Sequence, residues 1–191
     1  VAVASSSVIP PETWAYAAEH DMLSTDLVQA QELLLAAGWQ THPTTGILVS
    51  QGAEFRFTIR TDSDATRVAI ATVIKDQLEP LGIRVTVAST TFAVLRRDFL
   101  QERNYEASVA GWDQGPDPDL YPAWHSSQAN ELGGNISNYA DVVADRLIAA
   151  GRTSLDQGVR IDSYNQIQDI WQDEVPSIIL AYPQYAFVSA S

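Results

Sequence analysis

The segment from residue 111 to residue 127 reads GWDQGPDPDLYPAWHSS and concentrates side chains that could do chemistry. Its three aspartates are Asp113, Asp117 and Asp119. They could bind a metal ion or supply a pair of catalytic carboxylates. The same segment holds Trp112 and Trp124, whose flat rings suit stacking on a ligand. Metal binding, catalysis, ligand binding and core packing are therefore the alternatives for this segment.

A metal site finds little support in the sequence. Calcium takes about six to eight oxygen ligands, commonly from alternating positions of a loop that turns at a glycine. Here Pro116 and Pro118 stiffen the segment, and no glutamate closes such a loop. The chain has no cysteine, and its three histidines, His20, His42 and His125, lie far apart. We therefore expect no metal and no other cofactor.

Catalysis by two carboxylates requires different environments, so that one carboxyl group keeps its proton while the other ionises. Three aspartates on one stiff turn tend to share an environment. The sequence also lacks the GxSxG, phosphate-loop and GxGxxG motifs. Asp beside Pro favours turns, and Asp119 can cap a short helix over residues 120–125, which is a purely structural role. A carboxylate-dependent hydrolase stays a less favoured alternative, and no enzyme is expected.

Charge and composition limit the possible partners. Of 191 residues, 24 are acidic and 11 are basic, which gives a formal net charge of -13. Such a surface repels phosphate backbones, so nucleic acid is not an expected partner. Hydrophobic residues make up 46% of the chain, as in ordinary globular domains, and no apolar window of about 18 residues could span a membrane.

Two stretches alternate apolar and polar residues, residues 54–60 and residues 83–87. Such alternation predicts strands with one buried face. Between them, residues 62–64 can cap a helix, and Pro80 with Gly82 ends it. The apolar stripe of this helix is expected at Ile70, Val73, Ile74, Leu78 and Leu81. A strand, a helix and a strand within about 35 residues predict a parallel, right-handed βαβ unit.

Helical patterns recur elsewhere in the chain. Helices are predicted after the cap at residues 24–26, after Thr90-Thr91, and over residues 141–150 and 156–174. The last of these carries an apolar side made of Ile161, Tyr164, Ile167, Ile170 and Trp171. A Val-Pro step at residues 175–176 ends it.

Extended and irregular stretches complete the prediction. Residues 105–111 predict a third strand that leads into the segment 111–127, and the apolar run 178–180 predicts a central strand. Residues 41–52 are rich in turn formers. Residues 1–23 are predicted as an extended segment on the domain surface, and residues 24–191 as one α/β domain. Without an initiator methionine, the chain is expected to be cut from a longer protein.

The predicted fold class is α/β, with a mixed, mostly parallel sheet and flanking helices. In open sheets of this class, ligands bind beyond the carboxyl ends of the strands. The segment 111–127 begins at such an end, which favours ligand binding among its alternatives.

Six ordered stretches resemble the family 5 extracellular solute-binding proteins, the peptide-, dipeptide- and nickel-binding receptors of ABC importers. They are LLLAAGW (33–39), FRFTIRTDSD (55–64), IKDQLEPLGIRVTV (74–87), YEASVAGWDQGPDPD (105–119), NISNYADVVADRLIAAGR (135–152) and YNQIQDIWQDEVPSIIL (164–180). The resemblance runs from about residue 10 to residue 185. It implies the C-terminal lobe of a two-lobed fold like that of periplasmic binding proteins (type II, cluster C), without the N-terminal lobe.

The resemblance also implies a function and a set of partners. The chain would belong to the substrate-binding component of an ABC importer, which captures a peptide or another small polar solute between two lobes. Its partners would be that solute, the permease and the N-terminal lobe of the same protein. The location would be extracytoplasmic, in the periplasm or at the cell surface, with any lipid anchor in a part of the chain not present here.

In the family, the Gly-Trp segment faces the cleft, and we carry that role to Gly111, Trp112 and Asp113. Further candidate ligand-binding residues are Gln114, Asp117, Trp124, Asn138 and Tyr139. Peptide receptors often carry GWxxD, whose aspartate pairs with a peptide's amino group, and here that position is Gly115. Asp113 or Asp117 could take its place for a peptide. An oligosaccharide stacked on Trp112 is the alternative ligand, and an acidic interaction module is the alternative function.

Overall fold

A computed structural model describes residues 2–20, 24–113, 115–130 and 132–184. The chain forms two compact units. We call Thr25–Trp112 the central unit, and Val1–Ser24 together with Asp113–Ser191 the terminal unit. Each unit has its own hydrophobic core. In the described part of the chain, no helix is long and apolar enough to cross a membrane.

Strands and helices are numbered along the chain. The strands are β1 (Ala2–Ala4), β2 (Gln40–Thr41), β3 (Leu48–Ser50), β4 (Ala53–Glu54), β5 (Arg56–Asp62), β6 (Arg84–Thr90), β7 (Ala107–Val109) and β8 (Ala181–Pro183). The helices are α1 (Leu27–Ala36), α2 (Ala65–Leu78), α3 (Phe92–Val94), α4 (Tyr121–Trp124), α5 (Val142–Thr153) and α6 (Gln157–Glu174). A π-helical stretch, Leu95–Leu100, directly continues α3.

The central unit is built on a parallel sheet in which β5 lies between β6 and β7. The register of β5 and β6 runs from Arg56 opposite Arg84 to Asp62 opposite Thr90. This confirms the predicted parallel strand–helix–strand unit. The predicted third strand is shorter than expected, since only Ala107–Val109 pairs with β5 and the chain leaves the sheet before Gly111.

Helix α2 begins where the sequence predicts. The carboxylate of Asp64 accepts hydrogen bonds from the backbone N–H groups of Thr66 and Arg67, at 3.1 and 3.0 Å. These bonds satisfy two of the backbone donors that a helix leaves unpaired at its first turn.

The predicted stripe of α2 is wrong at Val73, which is exposed. Ala71 is buried instead, and Ile74 and Leu78 pack against the same core. The physical reason is helix geometry. Residues three and seven positions apart lie on the same face of a helix, whereas a residue two positions away lies on the opposite side.

Residues 41–52 hold more than turns, since β2, β3 and β4 form an antiparallel sheet there. Gln51 and Gly52 both have positive φ, at 51° and 82°, between paired Ser50 and Ala53. Two such residues fit the tight hairpin turn that matches strand twist.

The terminal unit overturns the expectation for residues 1–23. Val8 and Ile9 are buried in the core with Ile148 and Ile167, and Ile9 is 0% exposed. The Ser7 hydroxyl donates to Gln168 Oε1 at 2.7 Å. This segment is therefore part of a packed core and not a surface chain, because its apolar residues meet the inner faces of α5 and α6.

The apolar run 178–180 is not a central strand. Ile178 is exposed, and the strand nearby is β8, which pairs antiparallel with β1 in a two-stranded sheet. Val175 adopts a left-handed conformation with φ of 47°, followed by Pro176, and this turn ends α6 as predicted. The predicted apolar side of α6 is confirmed, with Tyr164, Ile167 and Trp171 buried.

Candidate functional site

The turn at residues 117–119 is held by two arginines. Asp117 Oδ1 accepts a hydrogen bond from Arg160 Nη2 at 2.6 Å. Asp119 Oδ2 lies 3.5 Å from Arg152 Nε, and Asp119 Oδ1 accepts from the backbone N–H of Tyr121 at 3.1 Å. The predicted capping of α4 by Asp119 is wrong, because the N-cap residue of this helix is Leu120 and Asp119 binds only the N–H of the first helical residue. Two of the three aspartates in the segment are consequently bound within the protein.

Arg160 contacts several parts of the terminal unit at once. Its Nε donates to the Gly151 carbonyl oxygen at 2.6 Å, near the end of α5. Its guanidinium lies 4.7 Å from the centre of the Trp14 ring, in a cation–π geometry. Arg152 lies similarly over Tyr121, at 4.6 Å. Both guanidinium groups are therefore held in place by contacts besides their aspartates.

Trp112 and Asp113 differ from the residues that follow them. Trp112 is 44% exposed, just beyond the carboxyl end of β7. Asp113 is exposed too, and among the described residues it makes no hydrogen bond or ion pair. Gly111 is exposed beside them, whereas Gln114 lies outside the described residues. An aromatic surface and an uncompensated carboxylate therefore stand side by side in the chain.

Trp124 occupies a different environment from Trp112. It is 3% exposed, and its ring meets that of Trp171 edge to face, with centroids 5.0 Å apart. Leu120 and Ile148 belong to the same core. The structure thus gives Trp124 a packing role, which the sequence analysis held as its alternative.

Asn138 and Tyr139 lie on a loop whose organiser the sequence analysis missed. Asn135 is fully buried, and its amide nitrogen donates to the backbone carbonyls of Trp124, His125 and Tyr139, at 3.2, 3.2 and 2.9 Å. Asn138 is exposed with a φ of 61°, a conformation that asparagine tolerates better than most residues. Buried asparagines cannot be recognised from local pattern, because their partners are distant backbone groups.

Tyr139 is bound to the end of α6. Its hydroxyl donates to Glu174 Oε2 at 2.7 Å, and its ring packs edge to face on Trp171 with centroids 5.5 Å apart. Burial and this hydrogen bond raise the pKa of Tyr139 well above its ordinary value. Tyr139 therefore stays protonated and serves as a hydrogen-bond donor.

Neither metal binding nor acid–base chemistry gains support from this geometry. Asp117 and Asp119 already bind guanidinium groups, where a metal ion would have to bind instead. Across the described ranges, no group of three or more acidic or histidine side chains could hold a metal ion.

Arg152 and Arg160 are functional candidates that the sequence analysis did not name. A signal was present, because the terminal unit contains only three basic residues, Arg146, Arg152 and Arg160, in a strongly acidic stretch. Because basic residues are so few in this unit, each of them is a candidate partner for the clustered aspartates.

Comparison with known proteins identifies the family. Residues 1–132 match the bacterial extracellular solute-binding proteins, family 5 Middle. The chain belongs to this family. It is 29% identical over 177 residues to the oligopeptide-binding protein AppA of Bacillus subtilis, covering 91% of this chain and 32% of that protein. It is 22% identical over 183 residues to the dipeptide-binding protein of Escherichia coli, covering 94% and 32%.

Solved structures of the family share the fold. AppA from Bacillus subtilis in complex with a nonapeptide superposes with a TM-score of 0.83 at 29% identity, over 95% of this chain and 37% of that one. NikZ from Campylobacter jejuni in complex with Ni(L-His) gives 0.82 at 23% identity, over 95% and 36%. These are two-lobed periplasmic binding proteins, and the α/β architecture agrees with one lobe, as predicted. The chain spans about a third of the length of these relatives.

Proposed function

We propose that the chain is part of the substrate-binding component of an ABC importer, which captures a peptide or a similar small polar solute. Family membership and the likeness to AppA, solved with a nonapeptide bound, carry this proposal. Capture would occur in a cleft between two lobes that close on the ligand by hinge motion. Within this proposal, the chain belongs to one lobe of the complete protein, and this lobe includes residues 2–20, which pack in its core.

Two residues are proposed to face the solute, Trp112 and Asp113. The exposed indole offers a large surface for stacking, and the carboxylate offers an acceptor for a cationic group such as a peptide's amino terminus. Asp113 is favoured over Asp117 as this acceptor, because Asp117 is already bound to Arg160. Gly111 lets a ligand approach the backbone closely. Asn138 and Tyr139 stay candidates for the same cleft.

An oligosaccharide is the second candidate ligand. Gly115 stands where peptide receptors of the family often carry the aspartate that pairs with an amino group. A chain of the same fold from Thermotoga maritima was solved with mannohexaose bound, with a TM-score of 0.81 at 19% identity. The fold therefore does not decide between ligands, and a tryptophan can stack on a sugar ring.

The remaining parts of the proposal concern location and partners. The complete protein would act outside the cytoplasmic membrane, in the periplasm or at the cell surface, free or lipid-anchored, and deliver its solute to a permease. It would bind without chemical turnover and without a cofactor. The relatives are binding proteins, and Asp117 and Asp119 are occupied by arginines.

Calorimetry on the full-length protein tests the proposal. The probes are dipeptides, pentapeptides and nonapeptides with free or acetylated amino termini, and mannohexaose. For a peptide ligand, Asp113→Asn should weaken binding of the free-amine peptides by about tenfold, leave the acetylated ones unchanged, and so remove the preference between them. Trp112→Ala should weaken every ligand. Asp162→Asn, an exposed aspartate on α6, is the matched control.

The outcomes separate the candidates. Saturable binding of mannohexaose alone would replace the peptide by the sugar. Binding of no probe would contradict the proposed function. Release of product from any probe would favour the hydrolase alternative.

A further inference from the structure

The terminal unit places its few cations selectively. It holds three basic residues against fourteen acidic ones, and two of the three, Arg152 and Arg160, contact the turn at residues 117–119. The third, Arg146, is exposed on α5 and has no ion pair among the described residues. In a unit with many other carboxylates, this concentration on one turn requires a specific explanation.

Arg160 is the more firmly held of the two. Its side chain is 19% exposed, and it binds the Gly151 carbonyl and stacks on Trp14 in addition to pairing with Asp117. Because these contacts fix the guanidinium in advance, little conformational freedom is lost when it pairs with Asp117. Arg160 therefore acts as a fixed point to which the turn is attached.

The turn transmits this restraint along the chain. Pro116 and Pro118 flank Asp117 and limit the backbone on both sides, and Pro118 is fully buried. Asp113 is only four residues away, within about 14 Å of fully extended chain. Fixing Asp117 consequently restricts where the carboxylate of Asp113 can lie.

We propose that Arg160 is a positioning residue for ligand binding, which rests on the proposed function. By holding Asp117, it limits where Asp113, four residues earlier in the chain, can lie, and it keeps the Asp117 carboxylate away from the ligand. Of the carboxylates at residues 113, 117 and 119, only that of Asp113 is then available to pair with a cationic group of the ligand. Stability alone explains the contacts of Arg160 with Gly151 and Trp14 but not its pair with Asp117, because the Asp117 side chain is 56% exposed and exposed ion pairs contribute little to stability.

The test compares Asp117→Asn, Arg160→Gln and the double variant in the full-length protein, with Arg146→Gln as the matched control. The probes are the nonapeptides with free and acetylated amino termini. Both single variants should weaken binding of the free-amine nonapeptide by about tenfold and leave the acetylated one unchanged, because each displaces Asp113 from the peptide's amino group. The double variant should bind no more weakly than Arg160→Gln alone, since each single change already removes the ion pair between Asp117 and Arg160. Thermal unfolding of Asp117→Asn, which leaves Arg160 in place, should match the wild type.

Each other outcome is informative. If the wild-type protein binds neither peptides nor mannohexaose, the proposed function fails first. If the wild type binds and Asp117→Asn binds equally well, Arg160 has no positioning role. If Asp117→Asn weakens the free-amine peptide and Arg160→Gln does not, Asp117 contacts the ligand directly and the inference is overturned.

Discussion

The central unit and the terminal unit carry their charges in different proportions. Thr25–Trp112 contains eight basic and ten acidic residues, whereas the rest of the chain contains three and fourteen, which together account for the 11 and 24 of the sequence. In the central unit the carboxylate of the ion pair is buried, with Arg67 Nε donating to Asp62 Oδ1 at 2.8 Å. In the terminal unit the Asp117 carboxylate is exposed and its partner Arg160 is the more buried side chain. The Arg67–Asp62 pair thus lies at the end of β5 in the sheet, whereas the Arg160–Asp117 pair holds a turn.

The hydrophobic cores of the two units also differ. The central core is largely aliphatic and formed by neighbours in sequence, with Ile59, Val85 and Ala71 from consecutive elements. The terminal core adds fully packed aromatic rings to its aliphatic residues and joins distant parts of the chain, with Trp124 and Trp171 meeting edge to face. The terminal unit should therefore respond more strongly to loss of a single core side chain.

Replacing Trp171 by alanine should produce the largest effect. The change removes a buried indole that packs on both Trp124 and Tyr139, so we expect a loss of about 3–5 kcal/mol in unfolding free energy. Urea unfolding measures it. Leu155→Ala, at a fully exposed position of the same unit, is the control and should change little. A loss below about 1 kcal/mol for Trp171→Ala would show that the aromatic cluster does not hold the terminal unit together.

Replacing Ile9 by alanine tests whether residues 2–20 belong to the terminal core. Ile9 is fully buried, so the cavity left behind should cost about 2–4 kcal/mol. Hydrogen exchange should accelerate in α5 and α6 and stay unchanged in β5 and β6. Glu12→Ala, exposed in the same segment, should have no such effect. Equal exchange in the two variants would place this segment outside the core.

The two units also differ in how far the sequence predicts them. The βαβ unit follows from the alternation in β5 and β6 and from the cap at Asp64, all of which are local signals. The pairing of Val3 with Tyr182 depends on residues about 180 positions apart, which no local period encodes. For this reason, neither the core packing of residues 2–20 nor the pairing of the strand near residue 180 was predicted correctly.

The features of the candidate site also differ in how far the sequence predicts them. The exposure of Trp112 agrees with its position after a strand, where the sequence placed it. The Asp117–Arg160 pair joins residues 43 apart in sequence, and the burial of Trp124 depends on packing against α6. Residue type alone could not distinguish the two tryptophans, because their difference lies in tertiary contacts.

Gly82→Ala probes the central unit through its backbone. Gly82 has a φ of 81°, and a Cβ there would lie 2.5 Å from the Gly46 carbonyl oxygen. Strain and this clash should together cost about 2–3 kcal/mol, measured by urea unfolding. Gly46→Ala is the matched control, since its φ is 71° but a Cβ would meet nothing within 4 Å. Equal losses in the two variants would mean that conformation alone, and not the close approach, requires glycine at residue 82.

The smallest expected effects concern the ion pairs Asp62–Arg67 and Asp117–Arg160. The Asp62 carboxylate is buried, so Asp62→Asn should cost about 1–2 kcal/mol, whereas Asp117→Asn should cost less than about 1 kcal/mol because the Asp117 carboxylate is exposed. The hydrogen bond from Arg67 holds the pKa of Asp62 below its usual value, although burial opposes this.

A lowered pKa stabilises the folded state above the pKa of the unfolded chain, about 3.9, and this contribution is lost as the pH falls through the folded pKa. The difference in unfolding free energy between wild type and Asp62→Asn should therefore be constant from pH 7 to about pH 5 and shrink below about pH 4. Urea unfolding at pH 6 and pH 3 measures it. A difference that does not change with pH would show that the Asp62 carboxylate is not stabilised by its arginine, and the contrast between a buried and an exposed carboxylate would then fail.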